Sequence, residues 1–344
     1  MLNLARFEDS DMVIVGLIGA GYWGSNYLRV FNEMPACELK WCADLNRERL
    51  KQVTEQYPSI QTTTAYDDIC IDSAVDAVCI ATPPSTHVEM AERMMRQGKD
   101  ILVEKPFTLD SAEAWRLTEM AEDLDRVVQV GHIFGYHQAI RDLQGRVEEG
   151  ELGELYYLHS ERTGLGPVRK NVSALWDLCP HDISIFDYLV DAKIEAVRCL
   201  GHSFLLDVED SVFLFLEFDS GVKGFVHTSW LHPNKTREVT VVGDKRMAKI
   251  NDTDPDKILQ IFDKSVEMYE PQELGESNFK IREGSVSLPR VDFAEPLKLQ
   301  VDHFLDCVQT RETPLTGAAE GARVVEVLEA AEHSLEQGGA RVAV

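Results

Sequence analysis

Short apolar runs alternate with amphipathic helical stretches over the first 131 residues. The runs at 13–18, 38–43, 60–63, 76–81, 100–104 and 126–131 read as strands, and 46–57, 85–97 and 110–124 as helices. Several strands are apolar almost throughout, as expected when both faces of a sheet are covered. Gly98 supplies a C-terminal cap signal after the helix at 85–97. Strand–helix alternation of this kind predicts a doubly wound parallel sheet. The pattern then changes. After a helix at 136–149, longer segments with period-two alternation follow at 153–163, 193–204, 208–218, 222–231 and 236–242. Asp219-Ser-Gly221 reads as a hairpin turn between two of them. Helical stretches at 175–190, 295–310 and 317–337 complete the chain. The reading is an α/β dinucleotide-binding (Rossmann) domain over 12–133. A substrate-binding and oligomerisation α+β domain with a mainly antiparallel open sheet follows over 134–344, its terminal helices free to pack back on the first domain. Ligands are expected in the crevice between the domains, at the carboxyl ends of the parallel strands.

The first strand runs directly into Gly19-x-Gly21-x-x-Gly24, and a helical pattern carrying Tyr27, Leu28, Val30 and Phe31 follows. Asp44 ends the second strand. Strand, glycine turn, helix and acid stand in the order a dinucleotide site needs. Gly19 permits the tight turn, Gly21 the approach of a pyrophosphate, and Gly24 close helix–strand packing. The helix N-terminus favours the anion. Tyr22 and Trp23 lie in the same turn. Asp44 would accept the adenosine ribose hydroxyls and repel a 2′-phosphate, so NAD is expected in preference to NADP. Arg47, close behind, reads either as a partner for such a phosphate or as an ordinary surface arginine.

The chain has 344 residues, 44% of them hydrophobic, with 59 acids against 34 bases and a formal charge of -25. So acidic a surface argues against nucleic-acid and anionic-membrane partners. Any local basic cluster gains interest for the same reason. Seven cysteines without a CxxC pair read as buried reduced thiols. The histidines show no metal-binding spacing, so a structural metal is not expected. No apolar run has the length of a membrane span, and the polar start lacks the core of a signal peptide. A cytoplasmic protein is expected.

Three segments can carry chemistry. Thr82, Pro83 and His87 follow the fourth strand and Glu104 and Lys105 the fifth, where this fold binds ligands. Lys105 can donate to a substrate oxygen, although an isolated lysine in a turn is more often a surface residue. The third segment is Trp176-Asp-Leu-Cys-Pro-His181. Asp177 and His181 are four apart and share a helix face. Proline at 180 suggests a helix start, with Asp177 in the preceding turn. A carboxylate beside an imidazole suits a general base, and equally suits a histidine held for structure.

The nucleotide fingerprint, Glu104-Lys105-Pro106 and Asp177-x-x-x-His181 resemble the Gfo/Idh/MocA family of dehydrogenases over nearly the whole chain. The resemblance implies His181 as acid/base, Asp177 as substrate ligand or orienter and Lys105 as electrostatic helper around a sugar carbon. It also implies a cis Lys105–Pro106 bond. The stretch from Arg162 through Arg169, Lys170 and Asn171 to Trp176 is similar to the branch acting on nucleotide-linked sugars, such as UDP-N-acetylglucosamine-uronate 3-dehydrogenases. That branch has Asn where Gly164 stands here. Arg162, Arg169 and Lys170 in an acidic chain, with Gly164 and Gly166 for close approach, suit a diphosphate or form a solvated loop. The resemblance thus implies NAD-dependent oxidation, at C3, of a sugar that is nucleotide-linked. The alternatives are a free polyol or inositol dehydrogenase and a non-catalytic NAD-binding sensor.

Strand 208–218 puts Val212, Leu214, Leu216 and Phe218 on one face and Phe213 and Phe215 on the other. Phe225 and Leu231 join the second face if the register allows. An exposed aromatic face predicts a homodimer or homotetramer through this sheet.

Overall fold

The computed structural model describes residues 12–166, 168–170, 172–268, 279–292 and 294–344, and the chain divides into two compact units. The first unit runs to Tyr136 and takes up Glu295–Val325. Its strands are β1 (Val13–Ile18), β2 (Cys37–Ala43), β3 (Gln61–Thr63), β4 (Ala77–Ile80), β5 (Asp100–Val103) and β6 (Val128–Val130). They pair in parallel in the order β3-β2-β1-β4-β5-β6, which is the doubly wound arrangement the alternation predicts. Helices α1 (Tyr22–Glu33), α2 (Arg47–Gln56), α3 (Asp67–Ile71), α4 (His87–Arg96) and α5 (Ser111–Asp123) connect them. Strands β4 and β5 are buried at every position, which explains why both are apolar apart from Asp100 at the start of β5. α3 is a single short turn of helix, too brief for any periodicity to announce.

The second unit comprises His137–Ala294 and Glu326–Val344. After α6 (Gln138–Glu148), β7 (Leu155–Leu165) and α7 (Ala174–Leu189) come β8 (Ile194–His202), β9 (Ser211–Phe218), β10 (Lys223–Ser229) and β11 (Leu231–Gly243). They are followed by β12 (Met247–Asn251), β13 (Leu259–Met268) and β14 (Phe279–Ser287). With β15 (Val342–Ala343) they form a nine-stranded sheet in the order β14-β13-β12-β11-β7-β10-β9-β8-β15, antiparallel except for β7 with β10. The turn at Asp219–Gly221 joins β9 to β10, with Gly221 at a positive φ of 91°. The pattern of the sequence missed β12 to β15. β14 explains why, since every one of its positions is exposed and no alternation marks a buried face.

Helix α8 (Pro296–Thr310) belongs to the first unit although it follows most of the second in sequence. Its Leu297, Val301, Phe304 and Leu305 share one core with Val15, Leu17, Tyr27 and Phe31. The last helix, α9 (Ala318–Glu336), begins in the first unit, and its residues from Glu326 belong to the second.

In the second unit one sheet face is core. Val212, Leu214, Leu216 and Phe218 are buried there, and Phe186 of α7 packs where Gly224 leaves no room for a Cβ. The opposite face carries Phe213, Phe215 and Phe225. Phe225 pairs with Phe215 across the ladder, and Phe213 stacks on His227 at 4.1 Å. Phe213 is 58% exposed and Phe225 41%.

Candidate active site

The glycine turn is shaped by what a side chain would strike. Gly19 sits at φ 97°, and a Cβ there would lie 2.6 Å from the Ala81 carbonyl oxygen at the end of β4. At Gly24 it would lie 1.8 Å from the Gly19 carbonyl. At Gly21, the N-cap of α1, no side chain caps the helix, and among the described residues the one neighbour within 4 Å of an added Cβ, its chain neighbours aside, is Arg49. Free N–H groups at an uncapped, sterically open helix start fit a pyrophosphate. Tyr22 is exposed, and Trp23 meets it edge to face.

Asp44 follows β2. One carboxylate oxygen accepts the Ala20 N–H at 2.8 Å and the other the Asn46 N–H at 2.7 Å. The carboxylate is therefore locked against the glycine turn, where a ribose would lie. The cation beside it is Arg49, 3.4 Å away and half-exposed, rather than Arg47. Helix geometry explains the difference, since Asn46 caps α2 and Arg49, two residues on from Arg47, projects from nearly the opposite side of the helix. These residues fit NAD.

Two residues expected at the cofactor turn inward instead. His87 is fully buried, with Nδ1 3.0 Å from the Pro106 carbonyl oxygen and Nε2 3.0 Å from that of Thr82. It ties the loop after β4 to the loop after β5 and does not face a ligand. Burial lowers its proton affinity against the opposing pull of those carbonyls. Glu104 is also buried, its carboxylate accepting from the Tyr27 hydroxyl at 2.8 Å. Thr82 shares a 2.7 Å hydroxyl contact with Thr86, and Pro83 is exposed. Lys105 is half-buried after β5, and its bond to Pro106 is cis, as the family resemblance implies.

In the second unit α7 begins earlier than proline 180 suggests. Ser173 is the N-cap, Asp177 lies inside the first turn, and Pro180 sits in the helix interior. Asp177 and His181 still stand one turn apart on one helix. Arg169 reaches Asp177 at 3.1 Å. Nδ1 of His181 is buried, and the residue as a whole is half-buried.

Arg162 departs from expectation. Its guanidinium is buried and grips Asp182 with two hydrogen bonds of 2.9 Å, while Ser160 donates to the same carboxylate at 2.6 Å. A long side chain on the core face of β7 meets α7, so Arg162 joins strand to helix and is not a diphosphate ligand. Trp176 is likewise buried, hydrogen-bonded to Glu332. Arg169 and Lys170 are exposed, and Asn171 lies outside the described residues. A residue that the pattern did not single out, Lys235, stands against Gly164, whose added Cβ would lie 3.6 Å from the lysine backbone. The register of β11 shifts between Leu231 and Thr236, which brings Lys235 there; Pro233-Asn-Lys235 within a strand was the available signal.

Residues 13–132 match the model of an oxidoreductase family with an NAD-binding Rossmann fold, and residues 140–249 match the GFO/IDH/MocA C-terminal domain. The chain is 27% identical over 339 residues to the scyllo-inositol 2-dehydrogenase (NAD(+)) of Bacillus subtilis, covering 94% of each chain. It is 29% identical over 242 residues to the UDP-N-acetylglucosamine 3-dehydrogenase of Acidithiobacillus ferrooxidans, covering 69% of this chain and 73% of that one. The solved structure of the latter enzyme superposes with a TM-score of 0.82 at 23% identity, covering 95% and 99% of the two chains. Levoglucosan dehydrogenase in complex with NADH superposes at 0.81 and 20% identity, covering 96% and 99%. Both likenesses show the shared fold. With the glycine cradle, Asp44 and both domains accounted for, the chain belongs to the Gfo/Idh/MocA family of oxidoreductases and is an NAD-dependent enzyme.

Proposed function

We propose that this enzyme oxidises a secondary hydroxyl of a nucleotide-linked sugar, at C3. The observation that carries the reading is the run of exposed cations, Arg169 and Lys170, leading into the helix of Asp177 and His181, with Lys235 beside Gly164. In a chain of formal charge -25, cations left exposed next to a carboxylate–imidazole pair suit a diphosphate. The similarity to a UDP-N-acetylglucosamine 3-dehydrogenase supports the same substrate class.

Bound NAD would supply the acceptor for the hydride of the carbinol carbon. The chain's own residues do the rest. His181 takes the hydroxyl proton at Nε2. Asp177, one turn earlier on the helix, favours the imidazolium so formed. Lys105 donates to the substrate oxygen and favours the alkoxide character that develops there.

A second reading, a free-polyol dehydrogenase, is supported by the scyllo-inositol relative that matches 94% of the chain and by the withdrawal of Arg162 from the basic segment. Thermal unfolding with NAD plus UDP-sugars, dTDP-sugars or free polyols separates the two, because a ligand stabilises by mass action. The nucleotide-sugar reading expects a shift with a UDP- or dTDP-sugar, and about tenfold weaker binding after Arg169→Ala with Lys170→Ala. A shift with inositols alone selects the second.

We also propose a homodimer or homotetramer built on the sheet face of Phe213, Phe215 and Phe225. Light scattering should give at least a dimer, lost on Phe213→Glu. A monomer at micromolar concentration removes the idea.

A further inference from the structure

We infer that Arg237 binds an oxyanion of the substrate, as the second member of a cross-strand arginine pair whose first member is already taken. Arg237 on β11 stands directly opposite Arg162 on β7 in their antiparallel ladder. Side chains so paired share one sheet face, with Cβ atoms roughly 5 Å apart. At Arg162 that face meets α7, where Asp182 lies. Glu238, the next residue, alternates to the other face and pairs with Lys249 at 2.8 Å.

Like charges directly opposite each other on a ladder are destabilising. Arg162 is compensated, since it takes both oxygens of Asp182. Arg237 is not. Its main-chain oxygen accepts the Asp252 N–H at 2.9 Å, yet the Asp252 carboxylate is turned to His137, 3.2 Å from Nε2. Among the described residues the half-buried Arg237 guanidinium makes no hydrogen bond and no ion pair. Burial first, and the Arg162 charge second, hold its proton affinity below the usual arginine range, against the pull of Asp252 and Asp182. A charge drawn out of water costs free energy unless it is paired, and a chain with 59 acids has no shortage of carboxylates to pair it. The fork of five N–H donors instead suits a ligand, and its planar geometry fits a carboxylate or a phosphate. The position suits a substrate. Asp182 follows His181 on α7, so the joint that ties β7 to the helix also fixes the strand neighbour Arg237 beside the segment that carries His181.

That the oxyanion is part of a nucleotide-linked sugar rests on the function proposed above, whereas the anion-binding role of Arg237 does not, and the test separates the two. Calorimetry in the presence of NAD uses UDP, UDP-glucose, UDP-glucuronate and free glucuronate as probes. Arg237→Gln should weaken by about tenfold or more the probes whose oxyanion the guanidinium holds, with NAD affinity near wild type. A loss confined to the two glucuronates assigns the sugar carboxylate, and a loss shared by UDP and both UDP-sugars assigns the phosphates. Relief of the like-charge pair should leave unliganded Arg237→Gln at least as stable to denaturant as wild type, whereas a structural arginine would make it less stable. Arg237→Met supplies the same readings if the glutamine variant does not fold. The proposal is overturned by wild-type affinity of the variant for every probe, by weakened NAD, by lowered stability or failure of both variants to fold, or by a wild-type enzyme that binds none of the probes. Glucuronate binding that is lost in the variant, without affinity for UDP or UDP-glucose, removes the nucleotide-sugar reading and leaves Arg237 in its role. UDP-sugar binding that the variant keeps in full does the reverse.

Discussion

The cofactor end of the first unit and the α7–β7 region of the second solve the same problem, holding charged groups ready, by different means. At the cofactor end the backbone does the work. Gly19 and Gly24 have no space for a Cβ, Asp44 is pinned by main-chain N–H groups, and His87 spans two carbonyls. In the second region side chain meets side chain. Arg162 is held by Asp182, Arg169 by Asp177, and Trp176 by Glu332. Backbone geometry tolerates few residue types at each position and so leaves a fixed motif. Side-chain pairing admits many solutions and leaves only composition.

The sharpest way to break this comparison is Arg162→Ala. If the pair is a strand–helix joint, the variant strands a buried carboxylate and costs about 3–5 kcal/mol of stability. Denaturant unfolding measures it, and Arg162→Met with Asp182→Leu should recover much of the loss. Normal stability with weakened sugar binding would return Arg162 to the substrate.

His181→Ala comes next. It should lower turnover by about a hundredfold or more while NAD binding, followed by calorimetry, stays near wild type. Retention of most activity removes the acid/base role, and loss of NAD affinity would mean that the two regions do not divide the work as described.

Asp44→Ala has the smallest expected effect. Losing charge-assisted ribose hydrogen bonds should weaken NAD by about tenfold. With Arg49 beside the site and the carboxylate gone, NADP should bind relatively better. Wild-type preference for NADP in paired titrations would contradict the reading of Asp44.

The sequence by itself determined the doubly wound sheet, the glycine cradle, Asp44, the helix of Asp177 and His181, and the two faces of β9. Each is written in local spacing, the period of a strand or helix or the absence of a side chain where backbone must pass. What only the tertiary structure decided are matters of direction and partnership. His87 and Glu104 stand at the correct strand ends, yet face the core, because Glu104 meets Tyr27 of α1 and His87 bridges from the loop after β4 to the loop after β5. Arg162 sits in the expected segment, but alternation along β7 puts it on the helix-covered face, where Asp182 claims it. Arg49 replaces Arg47 because two residues carry the chain to nearly the opposite side of the helix, and Lys235 reaches Gly164 through a register shift in β11. The core of α8 joins that of β1 and α1 across nearly the whole length of the chain. Local pattern specifies which elements form and which faces they bury. Which polar groups those faces bring together depends on pairings between residues that no local spacing relates.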